Sequence, residues 1–293
     1  MEQTKITEKS VEELRRETEN IESEIAELDS IWDKFKNMIK SNKLAAISLV
    51  VILVFCIFAI FAPYLAPHDP NLQDYDNVRA VPSSEHILGT DELGRDVFSR
   101  IIYGARISLV IGLVPTSISM IIGTILGLMA GFLGKKVDFV IMRLADIMLA
   151  FPSLLLAMVV MYTLGSSLVN IFIALSVVSW AGTARVVRSQ TLSLKEKEFV
   201  EAARSIGVKK SVIMLRHILP NCLPSLIVLF TMNIPGSILS ESSLSFLGIG
   251  AQPPTSSWGL MVVHGKQWLL SEPWIAIAPG VAILIIVLAF NFL

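Results

Sequence analysis

Among the ionisable residues within or beside long apolar runs, where a charge is energetically costly, three are candidates for a gate or pathway. They are Arg143, Asp146 and Glu241. A charged group in such a run typically lines a pathway or gate, or is held by a partner. Arg143 and Asp146 are three residues apart, so on one helix face they would form a local ion pair, with a gating contact as the alternative. Glu241 either lines an outer gate or is hydrogen-bonded by Ser240, Ser242 or neighbouring loops.

Segment 67–105 contains a second polar group, the motif His86, Gly89, Thr90, Asp91, Gly94, Arg95 and Asp96. We expect Asp91, Arg95 and Asp96 to form a structural charge network. His68, His86 and His264 are dispersed along the chain, which is more typical of surface histidines than of a metal site. The two cysteines lie in or beside apolar runs, so the sequence predicts neither a disulfide nor a metal site.

Motifs for catalysis are missing from the sequence. It contains no phosphate-binding GxxxxGK[ST] loop, no HExxH pair, no paired intramembrane aspartates and no serine motif with a nearby histidine. An intramembrane enzyme is therefore disfavoured, and nucleotide chemistry cannot reside in this chain. An ion-driven carrier usually has several acidic groups at the membrane midplane, whereas only Asp146 and Glu241 approach that depth here. A nucleic-acid partner is also disfavoured, since no basic stripe is present.

The elements that must position these residues are membrane helices. Hydrophobic residues make up 53% of the chain and charged residues only 17%, against about 25% charged in soluble domains. Apolar runs long enough to cross a bilayer predict spans at about 44–65, 107–133, 139–163, 168–187, 221–245 and 273–293. Lysine and arginine are concentrated in alternate loops, which predicts cytoplasmic termini. We therefore predict an all-α polytopic membrane protein with six transmembrane helices.

Small and helix-breaking residues indicate how the spans pack. Gly123, Gly127 and Gly131 recur every four residues, which favours a helix-packing face over a ligand site. Proline is expected to kink three spans, at positions 115, 152 and 235.

Residues 1–43 have apolar residues at alternating spacings of three and four, which predicts a cytoplasmic amphipathic helix. Its seam could pair with another helix, dock on a partner subunit or lie on the membrane surface, and a solvated helix that continues the first span is equally open. The predicted organisation is this helix, a first span at 44–66, an extracytoplasmic segment at 67–105 and a core of five spans at 106–293.

The longest cytoplasmic loop, 188–220, is basic and too long to lack secondary structure. Residues 199–205 favour a helix because Ala202 and Ala203 are strong helix formers, and Gly207 is a natural helix stop. A second helix is predicted from about Lys210 to Pro220. Such a helical lobe could pass motion between a soluble partner and the spans.

This loop resembles the EAA loop of ABC importer permeases. Glu201-Ala202-Ala203, Gly207 and Leu219-Pro220 follow the family spacing, although His217 stands where the family has isoleucine. Stretches 86–100, 143–153 and 241–259 narrow the resemblance to the C-type permease of dipeptide and oligopeptide importers, with nickel importers as close relatives. The resemblance covers about 44–293 and implies a type I ABC importer permease fold. Because the family usually continues past the last span with a polar tail, we expect a longer natural chain.

The resemblance implies a permease that moves di- or oligopeptides into the cytoplasm by alternating access, in the cytoplasmic (inner) membrane of a bacterium or archaeon. Its partners would be a B-type permease, two ATPase subunits and an extracytoplasmic binding protein that the polar motif could contact. ATP and magnesium would bind to the ATPase subunits and no cofactor to this chain. Nickel or nickel-chelate import and an ATPase-independent carrier are the alternatives.

The resemblance also assigns residues that would couple the permease to the ATPase subunits, namely Glu201, Ala202, Ala203, Arg204, Gly207, Leu219 and Pro220. Glu201 would make polar contacts in a groove of the ATPase, the two alanines would allow close approach, and Gly207 would provide the turn.

Overall fold

A computed structural model describes residues 42–293, so the amphipathic helix predicted for 1–43 lies almost entirely outside the described residues. Within 42–293 the secondary structure is helical, with one isolated bridge between Thr90 and Asp96 and no strand. The helices are α1 (Lys43–Leu65), α2 (Val97–Leu133), α3 (Lys135–Ala150), α4 (Ser153–Leu164), α5 (Leu168–Leu194), α6 (Glu198–Ser205), α7 (Lys210–Phe246), α8 (Trp258–Gly265) and α9 (Trp274–Phe292).

Five of these helices are long and apolar enough to cross a membrane, namely α1, α2, α5, α7 and α9. The bent pair α3 and α4 makes a sixth crossing if it is counted as one span. This agrees with the six predicted spans. Helix α2 begins ten residues earlier than predicted, because Asp96 caps it by accepting a hydrogen bond from the backbone N–H of Ser99.

Residues 51–291 form one compact unit, which contains every site described below. Residues 42–50 include the first turns of α1, where the Asn42 side-chain oxygen accepts hydrogen bonds from the N–H groups of Leu44 and Ala45. Such a side-chain acceptor satisfies donors that would otherwise lack a partner at a helix start.

The predicted third span is broken between α3 and α4, which meet at an angle of 93°. Phe151 has an extended backbone at the break, as expected for a residue that precedes proline. Pro152 has no backbone N–H to continue the hydrogen bonding of α3. The prediction of a bend at Pro152 is therefore confirmed, whereas Pro115 and Pro235 lie inside helices that continue past them.

The glycine face of α2 packs against α5, as predicted. A Cβ atom on Gly123 would lie 2.6 Å from the carbonyl oxygen of Trp180, and one on Gly127 would lie 2.6 Å from that of Ala184. A Cβ atom on Gly131 would lie 2.6 Å from Cβ of Thr191. The two backbones therefore approach as closely as these residues permit, and this pair is the most extensive helix contact in the described residues.

The helix predicted to end at Pro220 does not end there, which corrects that prediction. Residues Ile213–Ile218 form a π-helical turn, and the N–H of Leu219 donates to the carbonyl of Met214, five residues earlier. This wider turn accommodates Pro220, which has no N–H to donate, without ending the helix. Helix α7 therefore runs without a break from the basic helical lobe into the fifth span, and the loop before it is shorter than 188–220.

Candidate functional site

Helix α6 is attached to the ends of the spans next to the basic loop by one apolar face. Val200 and Ala203 are buried in a cluster with Leu128 of α2, Val187 of α5 and Ile213 of α7. Ala203 therefore packs against the permease's own core, and its contact with a partner stays a prediction. Leu219 is half-buried beside the same cluster, and Pro220 is exposed.

The opposite face of α6 is exposed and carries Glu201 and Ala202. The chain then turns at Gly207, whose φ of +79° lies in the region that favours glycine. Ile206, just before this turn, is 81% exposed. The sequence reasoning missed Ile206, although a large apolar residue beside a helix-ending glycine in a charged loop was a usable signal.

Two further side chains of the lobe contact neighbouring helices. The Arg204 guanidinium lies 5.7 Å from the centre of the Phe132 ring at the end of α2. His217 lies with its ring centre 6.5 Å from that of Phe199 on α6. The residue that differs from the family's isoleucine is thus directed towards α6.

A polar cavity of about 160 Å³ lies between α2, α4, α5 and α7. Its lining has no charged residue and is dominated by hydroxyl and amide side chains. The lining comprises Thr116, Ser119, Ser153, Leu175, Ser179, Asn233, Gly236, Ser237 and Ser240. Thr116 and Ser237 are joined across the α2–α7 contact by a hydrogen bond of 2.9 Å. The sequence analysis missed this set, although Asn233, Ser237 and Ser240 recur at helical spacing in an apolar run.

The predicted gate residues lie outside this cavity. Asp146 does not form the expected ion pair with Arg143. Its Oδ1 atom instead lies 2.8 Å from Nη2 of Arg185 on α5. Arg143 instead lies 5.3 Å from the ring centre of Phe139. The local pairing prediction is wrong because α3 lies against α5, where a guanidinium of another helix reaches the carboxylate.

A second ion pair, which the sequence analysis missed, joins the same two helices. Arg188 donates to both carboxylate oxygens of Asp138, with a distance of 2.6 Å between Nη2 and Oδ2. Two parallel N–H···O bonds fix the orientation as well as the distance of such a pair.

Glu241 is only 1% exposed, and one of its two carboxylate oxygens accepts two hydrogen bonds. Its Oε1 atom accepts from the hydroxyls of Ser245 at 2.7 Å and Ser257 at 3.0 Å. Ser257 also caps α8, since its side chain accepts from the N–H of Leu260. Glu241 therefore joins α7 to α8 through hydroxyls of neighbouring segments, and Ser240 and Ser242 are not its partners.

The polar motif of segment 67–105 forms a hydrogen-bonded cluster before α2. Asp91 accepts from Arg95 Nε at 2.6 Å and lies 3.5 Å from Arg100 Nε. Gly94 has a φ of +73° and lies against the backbone of Asp74. The predicted network of Asp91 and Arg95 is thus present, but Asp96 lies with two histidines instead.

Contacts from residues near Ala80 and from the region of α8 and α9 complete this cluster. Thr90 accepts from the N–H of Ala80 at 2.7 Å, and a Cβ on Gly89 would lie 2.6 Å from Nε1 of Trp274. Glu92 accepts from Arg95 at 3.1 Å and lies 3.1 Å from Nδ1 of His264. Burial alone would raise the pKa of Glu92, but hydrogen bonding to His264 and the charges of His264 and Arg95 together lower it.

His68 and His86 lie together, which corrects the expectation of dispersed histidines for these two, whereas His264 lies apart from them beside Glu92. The ring centres of His68 and His86 are 4.8 Å apart, and His86 is buried. Nδ1 of His86 lies 3.0 Å from Oδ1 of Asp96. Segment 67–96 folds back across the end of α1 and thereby brings together residues that are distant in sequence.

Apolar spans around an uncharged polar cavity, with a helical lobe on the basic side, define a membrane transport permease. Comparison with known proteins identifies the family. Residues 123–293 match the binding-protein-dependent transport system inner membrane component, and residues 30–82 match the N-terminal transmembrane domain of oligopeptide transport permease C. The chain therefore belongs to the permease family of ABC peptide importers, which confirms the predicted type I fold and a multi-pass location in the inner membrane.

Individual relatives are similar over most of their length. The dipeptide transport system permease protein DppC of Alkalihalophilus pseudofirmus is 44% identical over 264 residues, which cover 90% of this chain and 87% of the relative. The glutathione transport system permease protein GsiD of Pectobacterium atrosepticum is 44% identical over 263 residues, covering 89% and 87%. GsiD of Escherichia coli is 45% identical over 265 residues, covering 89% and 86%. These names describe transport subunits, as predicted for a chain that is not itself an enzyme.

Proposed function

We propose that this chain is the C-type permease of an ATP-driven importer of short peptides, and that α6 with the following turn is the element that docks on an ATPase subunit. The observation that carries the proposal is that α6 has one face buried against the spans and the opposite face exposed. Val200 and Ala203 anchor one face to the spans, while Glu201, Ala202 and Ile206 are exposed on the cytoplasmic side. Small and apolar groups beside one carboxylate suit a groove that contains both apolar surface and polar donors.

The anchoring supports a transmission route from α6 to the spans. The apolar cluster around Val200 includes Ile213 and Ile218 of the π-helical turn of α7. Because packed cores do not deform continuously, a displacement of α6 would carry the start of α7 with it. Helix α7 reaches the polar cavity through Asn233 and Ser237. ATP-driven closure of the ATPase pair would in this way change access to the cavity.

We propose that the polar cavity is part of the peptide pathway. Hydroxyl and amide groups both donate and accept hydrogen bonds, so they suit the N–H and C=O groups that every peptide bond presents. An uncharged lining would bind neither peptide terminus tightly, which favours release. Arg143, Asp146 and Glu241 would then support the pathway from outside the cavity.

The proposed assembly follows from the family. A B-type permease would complete the pathway, two ATPase subunits would bind ATP and magnesium, and an extracytoplasmic binding protein would deliver substrate near segment 67–105. Both termini would lie in the cytoplasm, as the distribution of lysine and arginine indicates. The relatives named for dipeptide and glutathione transport support short peptides as the substrate class.

An uptake assay tests the proposal. Proteoliposomes that contain the complete importer would be supplied with labelled dipeptide, oligopeptide, glutathione or nickel, with and without ATP. We expect ATP-dependent uptake of peptide and no uptake of free nickel. Nickel uptake without peptide uptake would overturn the substrate class, and uptake that needs no ATP would overturn the assignment as an ABC importer subunit.

A matched pair of variants tests the pathway. Ser240 lines the cavity, whereas Ser243 is half-buried, does not line the cavity and donates only to the carbonyl of Leu239 within its own helix. Ser240→Leu should reduce peptide uptake at least about tenfold because it fills the cavity with apolar atoms. Ser243→Leu should leave uptake near the wild-type rate. Equal rates in both variants would exclude the cavity from the pathway.

A further inference from the structure

The extracytoplasmic segment 67–105 contains a cluster of potential metal ligands that the transport function does not use. His68, His86 and Asp96 can each offer one ligand atom, and these atoms all lie within 4.8 Å of one another. Two imidazole nitrogens and one carboxylate oxygen form a ligand set that suits zinc and similar divalent transition metals. We propose that this cluster binds one such cation and that the cation fastens the extracytoplasmic segment to α1 and α2.

The charge distribution around Asp96 supports a cation here. The Asp96 carboxylate is buried, and within the described residues its only potential cationic partners are the two histidines. The nearby arginines are already engaged, since Arg95 pairs with Asp91 and Glu92, and Arg100 lies beside Asp91. A buried carboxylate without a permanent cation is costly, and a divalent ion would remove that cost.

An unpartnered ligand atom is the second observation. Nδ1 of His68 is buried, has no hydrogen-bond partner among the described residues, and lies 3.9 Å from Oδ2 of Asp96. Buried polar nitrogens nearly always have a partner, so this atom indicates a missing ligand. The His68 side chain is 32% exposed, which leaves access for the ion and for a water molecule as a fourth ligand.

The surrounding hydrogen bonds hold the three ligands in place. The N–H of His68 donates to Ser99 Oγ at 3.0 Å, and the N–H of Ser99 donates to Asp96 Oδ2 at 2.7 Å. The N–H of His86 donates to Ser83 Oγ at 3.1 Å. Ligand atoms of a tetrahedral zinc site are about 3.3 Å apart, given bonds of about 2.0 Å. The separations of 3.0 Å from His86 Nδ1 to Asp96 Oδ1 and 3.9 Å from His68 Nδ1 to Asp96 Oδ2 lie near this value. Ligand atoms elsewhere in the cluster are up to 4.8 Å apart, so side-chain rotation must bring them closer by more than about 1 Å when the ion binds.

Zinc binding by the purified full-length chain tests this proposal. The protein would carry a tag without histidine, be treated with chelator in mild detergent, and be titrated with zinc chloride by calorimetry. We expect one zinc ion per chain, measured also by elemental analysis after desalting. Cobalt at the same site should give the strong visible absorption of a tetrahedral ion.

The chain offers matched controls, because it has four histidines and only two belong to the cluster. His68→Gln and His86→Gln should each weaken zinc binding by at least about tenfold. His217→Gln and His264→Gln should leave it unchanged. If His86→Gln fails to fold, the partly exposed His68 carries the comparison. Lack of zinc binding by the wild-type protein, or binding that survives in His68→Gln, would overturn the proposal whatever the outcome of the transport assays.

Discussion

The contact between α2 and α5 yields a prediction whose size follows from the structure. A Cβ atom on Gly127 would lie 2.6 Å from the carbonyl oxygen of Ala184 and 2.8 Å from Cβ of Val187. Carbon atoms in favourable contact are about 3.5–4.0 Å apart, so Gly127→Ala forces the two helices apart by nearly 1 Å. Overpacking of this kind costs about 1–3 kcal/mol.

Alanine also favours a helix over glycine by about 1 kcal/mol, which offsets part of that cost. The closest contact is a backbone carbonyl oxygen, which cannot rotate away, so the upper part of the overpacking range, about 2–3 kcal/mol, applies. The net expectation is a destabilisation of about 1–2 kcal/mol, or a fall of about 2–6 °C in the unfolding midpoint. Tryptophan fluorescence during heating of the purified protein in detergent would measure it.

Gly182 on α5 provides the matched control, because a Cβ atom there would meet nothing within 4 Å. Gly182→Ala should be neutral or stabilise the protein by up to about 1 kcal/mol. If Gly127→Ala proved as stable as the wild type, or if both variants lost stability equally, the close α2–α5 packing would be refuted.

Three further predictions concern polar contacts. Glu241→Ala should cost about 2–4 kcal/mol of stability because it leaves the hydroxyls of Ser245 and Ser257 without an acceptor, whereas Ser243→Ala should have little effect in the same heating assay. A double-mutant cycle should give a coupling of about 1 kcal/mol or more for the bidentate pair Asp138–Arg188 and near zero for Asp146–Arg185, whose side chains are more than half exposed; equal couplings would contradict this. The pKa of Glu92 is lower in the folded protein than in the unfolded chain, so its ionised carboxylate stabilises the fold at neutral pH, and this stabilisation is lost as the pH falls below about 4.3. Hydrogen exchange of segment 67–96 should therefore become faster at acid pH relative to the rest of the chain, and Glu92→Gln should reduce this pH dependence.

Much of the fold is predictable from sequence because it depends on local properties. Runs without charge set the spans, and proline disfavours a helical residue before it, which favours a bend at Pro152. The same rule does not predict that the helices continue past Pro115 and Pro235. Glycine every fourth residue identifies the face of α2 on which another helix packs. The helix ending predicted at Pro220 was wrong because a single π-helical turn accommodates the proline.

The sites depend more on contacts between distant residues. Asp146 has an arginine three residues before it, yet it pairs with Arg185, 39 residues away on a different helix. His68 and His86 meet only because segment 67–96 folds back on itself. Spacing rules that apply within one helix cannot identify such partners.

The helical lobe formed by α6 and the start of α7 was predictable in part. Its helix and glycine turn follow from residue preferences, but the direction of each side chain depends on where α6 is anchored. That anchoring buries Ala203 and leaves Ile206 exposed.

If α6 and its turn dock on an ATPase subunit and transmit its movement to the spans, Ile206→Asp tests this docking most directly. In the complete importer, purified through a tag on this permease, the variant should lose the burial of one isoleucine in the ATPase groove. That loss is worth about 2 kcal/mol, or about thirtyfold in affinity. Leu215→Asp, at an exposed apolar residue of α7, is the matched control. We predict that Ile206→Asp loses both the co-purified ATPase and ATP-dependent uptake while Leu215→Asp keeps both; unchanged ATPase binding and uptake in Ile206→Asp would contradict the claim.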